Sequence, residues 1–270
     1  MKVVLFCGGL GTRLRDYSET IPKPMVKIGY RPILWHIMKY YAHYGHKEFI
    51  LCLGYKADMF KQYFVNYNEF LSNDFVLSNG GREMQIFNKD IEDWKITFVD
   101  TGVKSIVGER LMKVRNYLEG EERFLAHYTD TLSDCHLPDI IDFSEKHDAT
   151  ATFLAAQSTQ SFHVAQVQED GLVENIAPVS DAGFWINGGF FVLKNEIFDY
   201  MKFGEELVVE PFHRLIQEDK LVAYKYKGFW AAMDTFKDKM MLDNLYAQGN
   251  PPWEVWNQPD DHSRELEAVS

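Results

Sequence analysis

Short apolar runs alternate with longer amphipathic stretches along most of the chain. The runs Lys2–Phe6 and Glu48–Tyr55 have strand length and are largely apolar, which is typical of buried strands. Between them, the large apolar side chains from Ile33 to Tyr41 recur at the spacing of one helix face. This alternation of strand and helix predicts an α/β fold around a mostly parallel sheet, with Lys2–Phe6 as its central strand.

The same pattern predicts the remaining elements. Further strands are predicted at Lys95–Gly102, Arg123–Asp130, Thr150–Gln157, Phe184–Leu193 and Leu221–Tyr226. Further helices are predicted at Lys56–Asn66, Gly108–Leu118, Leu137–His147, Val208–Gln217 and Thr235–Gln248. The residues from Gln160 to Gly183 carry no clear period, and we expect them to be irregular.

One stretch interrupts the alternation of strands and helices. Asp74–Phe87 contains Asn79-Gly80-Gly81 between two short apolar runs, and Asn-Gly is a strong signal for a β-hairpin. The sequence therefore predicts a hairpin inserted into the α/β fold. It does not decide whether that hairpin lies over a ligand cleft or at a contact between subunits.

The composition is that of a folded protein with a full core. The chain has 270 residues and 46% hydrophobic content, and no linker or repeat divides it. We expect one domain over residues 1–257. The residues after Pro251-Pro252 become polar and acidic, so we expect 258–270 to be a disordered tail.

Charge and cysteine content exclude several classes of partner. The net charge of −12 argues against a nucleic-acid surface and against an anionic membrane. No apolar run reaches the length of a membrane span, and the N-terminus does not resemble a signal peptide. The three cysteines, Cys7, Cys52 and Cys135, are widely spaced, which indicates buried thiols in a reducing cytoplasm.

The first strand leads into a cluster of glycines and basic residues. Gly8, Gly9 and Gly11 follow the strand, and Arg13 and Lys23 come shortly after them. Glycines allow main-chain N–H groups to approach a ligand closely, and successive N–H groups in a turn form a concavity that binds anions. With two fixed positive charges beside it, this segment predicts a binding site for a polyphosphate.

Two common phosphate-binding motifs do not fit this segment. The sequence lacks the G-x-x-x-x-G-K-[ST] pattern of a P-loop. A dinucleotide fingerprint requires a glycine two or three positions after Gly11, where this chain has Arg13 and Leu14. The glycine cluster therefore belongs to another kind of phosphate site, or to an ordinary strand-to-helix turn.

The motif Gly8–Leu14 followed by Pro22–Val26 resembles the signature of the sugar-1-phosphate nucleotidyltransferases. Within that family, further runs resemble the glucose-1-phosphate cytidylyltransferases over about residues 1–257. These runs are Pro32–Lys39, Cys52–Lys56, Val99–Gly102, Ile186–Phe191, Gly228–Trp230 and Met233–Thr235.

This resemblance implies a fold, a reaction and a cofactor. The fold is Rossmann-like, with a mostly parallel central sheet and helices on both faces. The reaction transfers a cytidylyl group from CTP to a sugar 1-phosphate, here glucose 1-phosphate, and gives a CDP-sugar and pyrophosphate. The cofactor is Mg²⁺, which takes one or two protein carboxylates together with substrate phosphates. The family also implies a homo-oligomer.

The resemblance assigns a role to each matching residue. Asp130 and Asp234 are the expected Mg²⁺ ligands, since each follows a predicted strand and both can reach the same sheet edge. Read without the family, each is better explained as a cap of a turn or a helix, since Asp before a helix is a good N-cap. Arg13 and Lys23 are expected on the triphosphate, with Asp130 as the third catalytic residue. The other expected binding residues are Gly8, Gly9, Gly11 and Thr12 at the phosphates, Arg110 near the nucleotide, and Asn187 and Glu210 at the sugar. A helix-start role for Glu210 remains open.

The sequence departs from the family pattern at three places, mostly on the acceptor side. Thr129 and Thr131 replace two glycines around Asp130, where they narrow the space and offer hydroxyl groups. The stretch 173–179 lacks the lysine that the family uses to hold the sugar phosphate, and Glu109 replaces a glycine before Arg110. Two alternatives therefore stay open: an enzyme with a different acceptor or reaction on a nucleotide sugar, and a non-catalytic protein that binds nucleotide sugars.

Overall fold

The computed structural model describes residues 1–9, 21–157, 162–179 and 183–258. The predicted tail, 258–270, therefore lies outside the described residues apart from Gln258. The glycine-rich segment is described as far as Gly9, and the chain is described again from Ile21.

Strands and helices alternate along the chain. The strands are β1 (Val3–Phe6), β2 (Lys27–Ile28), β3 (Arg31–Pro32), β4 (Glu48–Leu53), β5 (Phe75–Ser78), β6 (Glu83–Ile86), β7 (Lys95–Asp100), β8 (Arg123–Tyr128), β9 (Thr131–Ser133), β10 (Ala151–Ala156), β11 (His163–Val167), β12 (Val173–Pro178), β13 (Ile186–Lys194), β14 (Leu221–Tyr226) and β15 (Trp230–Ala232). The α-helices are α1 (Ile33–His43), α2 (Ala57–Val65), α3 (Val107–Lys113), α4 (Leu137–Lys146), α5 (Glu210–Gln217) and α6 (Phe236–Ala247).

Seven strands form the central sheet, in the order β14-β10-β13-β8-β1-β4-β7. Strand β13 runs antiparallel to both of its neighbours, and the other neighbouring strands are parallel. Strand β1 lies inside the sheet between β8 and β4. The prediction of a mostly parallel sheet with the first strand in its interior is confirmed.

Both faces of the sheet are covered. Along β1, Val3 and Leu5 belong to the apolar core that includes helix α1, whereas Val4 and Phe6 belong to the core on the other face. The second core contains residues of α3 and α5. A strand buried on both faces has an uninterrupted apolar sequence, which explains the pattern seen in the first run of the chain.

The predicted hairpin insertion is confirmed. Strands β5 and β6 pair antiparallel, and the connection is Asn79–Gly81. Asn79 and Gly80 both adopt positive φ angles, of 50° and 64°. This geometry suits Asn-Gly because asparagine and glycine tolerate the left-handed region better than other residues.

The prediction that Gln160–Gly183 is irregular is wrong for the part that the structure describes. Strands β11 and β12 form a second antiparallel hairpin there. Gly171 closes its turn with φ of 90°, and the N–H of Gln168 donates to the carbonyl of Leu172 over 2.8 Å. The strands are mostly exposed, so no apolar alternation marks them in the sequence, and turn geometry and pairing define them instead.

The three cysteines are free thiols and all are buried, as the sequence predicts. Burial raises the pKa of Cys52 to about 12 and raises that of Cys7 well above its ordinary value. Within the described ranges, no helix combines the length and the apolar character that crossing a membrane requires.

Candidate active site

Three side chains from distant parts of the sequence meet beyond the ends of the central strands. The ammonium of Lys23 donates to Oδ2 of Asp130 and to Oδ1 of Asp234, and each contact is 2.7 Å long. The lysine side chain is 14% exposed, so its ammonium is largely buried. The structure therefore brings together the lysine and both carboxylates that the sequence singled out.

A short antiparallel ladder outside the main sheet brings the two aspartates together. Strand β9 follows Asp130, and strand β15 precedes Asp234, with Thr131 opposite Ala232. The ladder continues beyond this pair, because the N–H of Met233 donates to the carbonyl of Asp130 over 2.8 Å. The relative position of the two aspartates is thus determined by main-chain hydrogen bonds.

The start of helix α6 fixes Asp234 from the other side. Thr235 and Asp238 form a capping box, in which the Thr235 hydroxyl accepts from the N–H of Asp238. The carboxylate of Asp238 accepts from the N–H groups of Asp234 at 3.1 Å and Thr235 at 2.8 Å. Asp238 satisfies the helix terminus, which leaves the carboxylate of Asp234 to contact Lys23.

Lys23 begins a short 3₁₀ turn, Lys23–Met25, between Pro22 and the buried Pro24. Each proline fixes its own φ angle, so the backbone around the lysine has little freedom. Burial works against the charged ammonium, but the carboxylates of Asp130 and Asp234 outweigh it and raise the pKa of Lys23 above its ordinary value. The lysine is therefore a permanent positive charge at neutral pH.

The two carboxylates fit the chemistry of a Mg²⁺ site. Both present an oxygen to one point, and Mg²⁺ in nucleotide enzymes commonly takes one or two carboxylates and completes its shell with phosphates and water. No cluster of three or more His, Cys, Asp or Glu side chains suitable for a metal occurs among the described residues. Such a site would depend on a substrate to complete it.

Arg110 packs against Gly8, the first glycine of the glycine-rich segment. The residue is 1% exposed, and its guanidinium donates to Thr101 Oγ1 at 2.7 Å and to the carbonyl of Leu53 at 3.2 Å. A Cβ at Gly8 would lie 2.0 Å from Nη1 of Arg110, so Gly8 is required for this packing. The structure thus places Arg110 next to the loop, as the resemblance implies, but as a buried support for it.

Gly9 is exposed, and no described atom lies within 4 Å of the position that a Cβ would take there. The other predicted residues of this segment, Gly11, Thr12 and Arg13, lie outside the described residues. Their roles stay predictions.

The two threonines beside Asp130 point into the protein. Thr129 Oγ1 donates to the carbonyl of Phe6 over 2.9 Å and ties the end of β8 to the end of β1. Thr131 Oγ1 lies 3.2 Å from Nε2 of the buried His127. The expectation that these hydroxyls would face the ligand is wrong, because protein acceptors and donors already hold both of them.

Asn187 lies at the start of β13 and is half-buried. Its Oδ1 accepts from the N–H of Gly189 over 2.9 Å, and its side chain also hydrogen-bonds to Tyr128. The two glycines that follow it are needed for packing: a Cβ at Gly188 would lie 2.5 Å from Leu154, and Gly189 has φ of 81°. Asn187 therefore borders the site through Tyr128, which lies two residues before Asp130.

Glu210 is the first residue of α5, and its Oε2 accepts from the N–H of Glu206 over 3.1 Å. It is exposed and has the helix-start position that the sequence left open. Glu206 is partly buried, and burial together with the nearby charges of Glu210 and Glu109 raises its pKa. Glu109 therefore adds to the negative charge around Glu206.

The acceptor side lacks a lysine where the family pattern has one. The stretch 173–179 contains β12, in which Ala177 pairs with Val164, and Pro178 with His163. His163 is exposed, and it is the ionisable side chain nearest in register to Ala177 on β11. The register alone therefore offers no permanent cation at that position.

Sequence reasoning missed the elements that assemble this site. It did not predict the β9–β15 ladder, since three-residue strands are too short to show a period. It also missed the tie from Thr129 to Phe6 and the support that Arg110 gives to Gly8. The one available signal was the capping pattern from Thr235 to Asp238, which places the end of β15 beside Asp234.

Known nucleotidyltransferases resemble this chain along most of its length. A family model described as nucleotidyl transferase matches residues 2–243. The glucose-1-phosphate cytidylyltransferases of Salmonella typhi and Salmonella typhimurium are each 40% identical to this chain over 259 residues, covering 95% of this chain and 100% of each relative.

Structural similarity extends further. The crystal structure of HddC from Yersinia pseudotuberculosis superposes with a TM-score of 0.63 at 21% identity and covers 91% of this chain and 99% of that one. That similarity concerns the fold. The family model, which matches most of the chain, and the relatives at 40% identity show the family as well as the fold. The chain therefore belongs to the sugar-1-phosphate nucleotidyltransferase family.

Proposed function

We propose that this chain transfers the cytidylyl group of CTP to glucose 1-phosphate and releases pyrophosphate. The observation that carries the proposal is the convergence of Lys23, Asp130 and Asp234 at the strand ends next to the glycine-rich segment. The relatives that match the chain along their whole length are named for this activity, which supports CTP and glucose 1-phosphate as the substrates.

The reaction asks for positioning and charge balance. A phosphate oxygen of glucose 1-phosphate forms a bond to the α-phosphorus of CTP, and the bond from that phosphorus to the bridging oxygen of pyrophosphate breaks. The attacking oxygen is already anionic, so no side chain needs to remove a proton from it. The protein must hold the phosphates in line and offset their negative charge, which can account for several orders of magnitude in rate.

Each proposed residue has a task in this reaction. Lys23 and Arg13 bind the triphosphate, and the amides of Gly8, Gly9 and Gly11 with the Thr12 hydroxyl contact its oxygens. Arg110 supports the loop from beneath Gly8. Asn187 and Glu210 lie on the acceptor side. Asp130 and Asp234 would hold Mg²⁺, which when bound supplies positive charge to the phosphates.

A coupled assay for pyrophosphate tests the proposal. Purified protein with Mg²⁺, CTP and glucose 1-phosphate should release pyrophosphate, and mass spectrometry should find CDP-glucose in equal amount. UTP, GTP, ATP and dTTP serve as matched controls for the base. A protein that binds CTP by calorimetry but releases no pyrophosphate with glucose 1-phosphate would contradict the proposal.

A second candidate keeps CTP and changes the acceptor. The pairing of Ala177 with Val164, where a lysine is absent, favours it, because a sugar phosphate held without that cation would bind weakly. A panel of sugar 1-phosphates assayed with CTP distinguishes the two. A KM for glucose 1-phosphate far above that of another sugar phosphate would favour the second candidate.

The state of the cysteines supports a cellular setting. Because Cys7, Cys52 and Cys135 are buried free thiols, which suit a reducing compartment, we propose that the protein acts in the cytoplasm. We also propose a homo-oligomer, supported by the exposure of Phe75, Leu77 and Met84 on the β5–β6 hairpin, at 41%, 55% and 44%. Sedimentation of the purified protein would measure its mass, and a monomer at micromolar concentration would contradict this part.

A further inference from the structure

A metal held by the two carboxylate oxygens that Lys23 contacts would take the place of its ammonium. This ammonium contacts one oxygen of Asp130 and one of Asp234 at the same distance, 2.7 Å. A cation bound to those two oxygens and an ammonium bound to both of them cannot share that position. A metal that binds these same two oxygens must therefore exchange with the ammonium.

We propose that Lys23 is the resident counter-ion of this site and competes with the divalent metal, so that the metal binds tightly only when nucleotide phosphates are present to receive the ammonium. The proposal rests on the proposed function and deepens it at the same site. It concerns the coupling between binding of the metal and binding of the nucleotide. This coupling does not depend on which base or which sugar the enzyme uses.

Electrostatics makes the exchange depend on the nucleotide. Asp130 and Asp234 together carry two negative charges, and Lys23 balances one of them. A metal that arrived alone would displace a largely buried ammonium, 14% exposed, from both of its partners. An unpaired buried charge is costly, so metal alone binds weakly. Phosphate oxygens give the ammonium new partners and complete the shell of the metal.

The lysine is the part of the site that is free to move. The main chain holds Asp130 through Met233, and the Asp238 cap holds the main chain at Asp234. Lys23 has a flexible four-carbon side chain, so its ammonium can shift by several ångströms without moving the backbone. The exchange therefore needs no change of fold.

Calorimetry with Mn²⁺ alone tests the competition directly. The variant Lys23→Met keeps an unbranched side chain, one atom shorter, but removes its charge, and it should bind Mn²⁺ about tenfold more tightly than the wild type. Lys27→Met is the matched control, because it removes an equal charge four residues away from an exposed position. If Lys27→Met tightened binding as much, or Lys23→Met bound Mn²⁺ no more tightly than the wild type, the proposal would be wrong.

A second measurement needs no variant and holds even if Lys23→Met fails to fold. A crystal structure of the wild type with Mg²⁺ and CTP should show the ammonium of Lys23 moved from at least one carboxylate to a phosphate oxygen. Both 2.7 Å contacts retained beside a metal bound to the same oxygens would overturn the proposal.

Failure of the proposed function would look different from failure of this inference. A chain that did not turn over CTP and glucose 1-phosphate could still bind Mn²⁺ more tightly after Lys23→Met. Conversely, full turnover with unchanged Mn²⁺ affinity in Lys23→Met would leave the proposed function intact and remove the competition.

Discussion

The carbonyl oxygen of Asp130 accepts a hydrogen bond from the N–H of Met233 over 2.8 Å. Through this bond, the segment that follows β8 is joined to the segment that precedes helix α6. Asp234 directly follows Met233. Its carboxylate and that of Asp130 contact the same ammonium, that of Lys23. A main-chain contact between two turns thus creates the charged centre of the site.

Replacing either aspartate should remove most of the activity and leave the fold intact. Asp130→Asn and Asp234→Asn each keep the shape of the side chain but lose the charge that would hold the metal. We expect turnover to fall at least about a hundredfold, the usual effect of losing one group that stabilises charge in a transition state. Steady-state rates of pyrophosphate release measure this loss.

The control for this prediction is Asp142→Asn, which neutralises an exposed carboxylate on α4. Its rate and its melting temperature should match those of the wild type. Wild-type rates in Asp130→Asn or Asp234→Asn would remove the assignment of these residues to the metal.

Gly8 and Gly9 are neighbours with opposite surroundings. In Gly8→Ala the new methyl group would lie 2.0 Å from Arg110, so either the loop or the buried guanidinium must move. We expect a loss of about 1–3 kcal/mol in the free energy of unfolding, as for other overpacked sites. Chemical denaturation measures it.

Gly9→Ala is the matched comparison, because no described atom lies within 4 Å of its Cβ position. Its free energy of unfolding should change by less than about 0.5 kcal/mol. Equal effects of the two substitutions would show that packing against Arg110 is not the reason why position 8 requires glycine.

The Thr129 hydroxyl is predicted to matter for stability and not for substrate binding. Thr129→Val removes the donor to the carbonyl of Phe6 while keeping the branched shape, and should lower the free energy of unfolding by about 1 kcal/mol. Thr129→Ser keeps the hydroxyl and serves as the control. A large rise in the KM for the sugar phosphate in Thr129→Val, reversed in Thr129→Ser, would indicate instead that the hydroxyl contacts the ligand.

Two buried histidines should make the protein less stable as the pH falls below neutral. Burial lowers the pKa of His36 to about 4 and that of His127 to about 3, from an ordinary value of 6.5. His36 Nδ1 accepts from Trp253, and Nε2 lies 3.2 Å from the carbonyl of Ile28, an arrangement that suits the neutral ring. The positive charge of nearby Arg31 also disfavours protonation of His36.

The sign of the effect follows from proton uptake. The histidines of the unfolded chain bind protons at pH values where the folded histidines do not. The contribution of these histidines to the free energy of unfolding is therefore fully present above about pH 6.5 and is lost as the pH falls toward 4. Each histidine contributes a slope of up to about 1.4 kcal/mol per pH unit. Urea denaturation between pH 7 and pH 5 measures the slope, which His36→Gln and His127→Gln should each reduce. His213→Gln, at an exposed position, should leave it unchanged.

Much of the fold could be predicted because its signals are local. The all-apolar run in β1 predicts a strand buried on both faces, and Asn79-Gly80 predicts the turn of the first hairpin. The second hairpin was missed because β11 and β12 are largely exposed, so their residues lack the alternation that a half-buried strand shows.

The residue types at the candidate site were likewise present in the sequence, but their arrangement was not. Lys23, Asp130 and Asp234 could be chosen by motif. The direction of the Thr129 hydroxyl could not be predicted, because it depends on the carbonyl of Phe6, which lies 123 residues earlier in the chain. Arg110 likewise resembled an open ligand residue until its burial beneath Gly8 was seen.

By itself, the sequence of this protein determined the order of the strands and helices around the central sheet, the family, and the glycines and charges available for a phosphate site. These features could be predicted because each depends on residues that are close together in the sequence. The tertiary structure alone decided that one ammonium lies between two aspartates, and that the threonines and Arg110 face inward. Such contacts join residues that are distant along the chain, and only the pairing of β9 with β15 and the close packing around β1 bring them into reach.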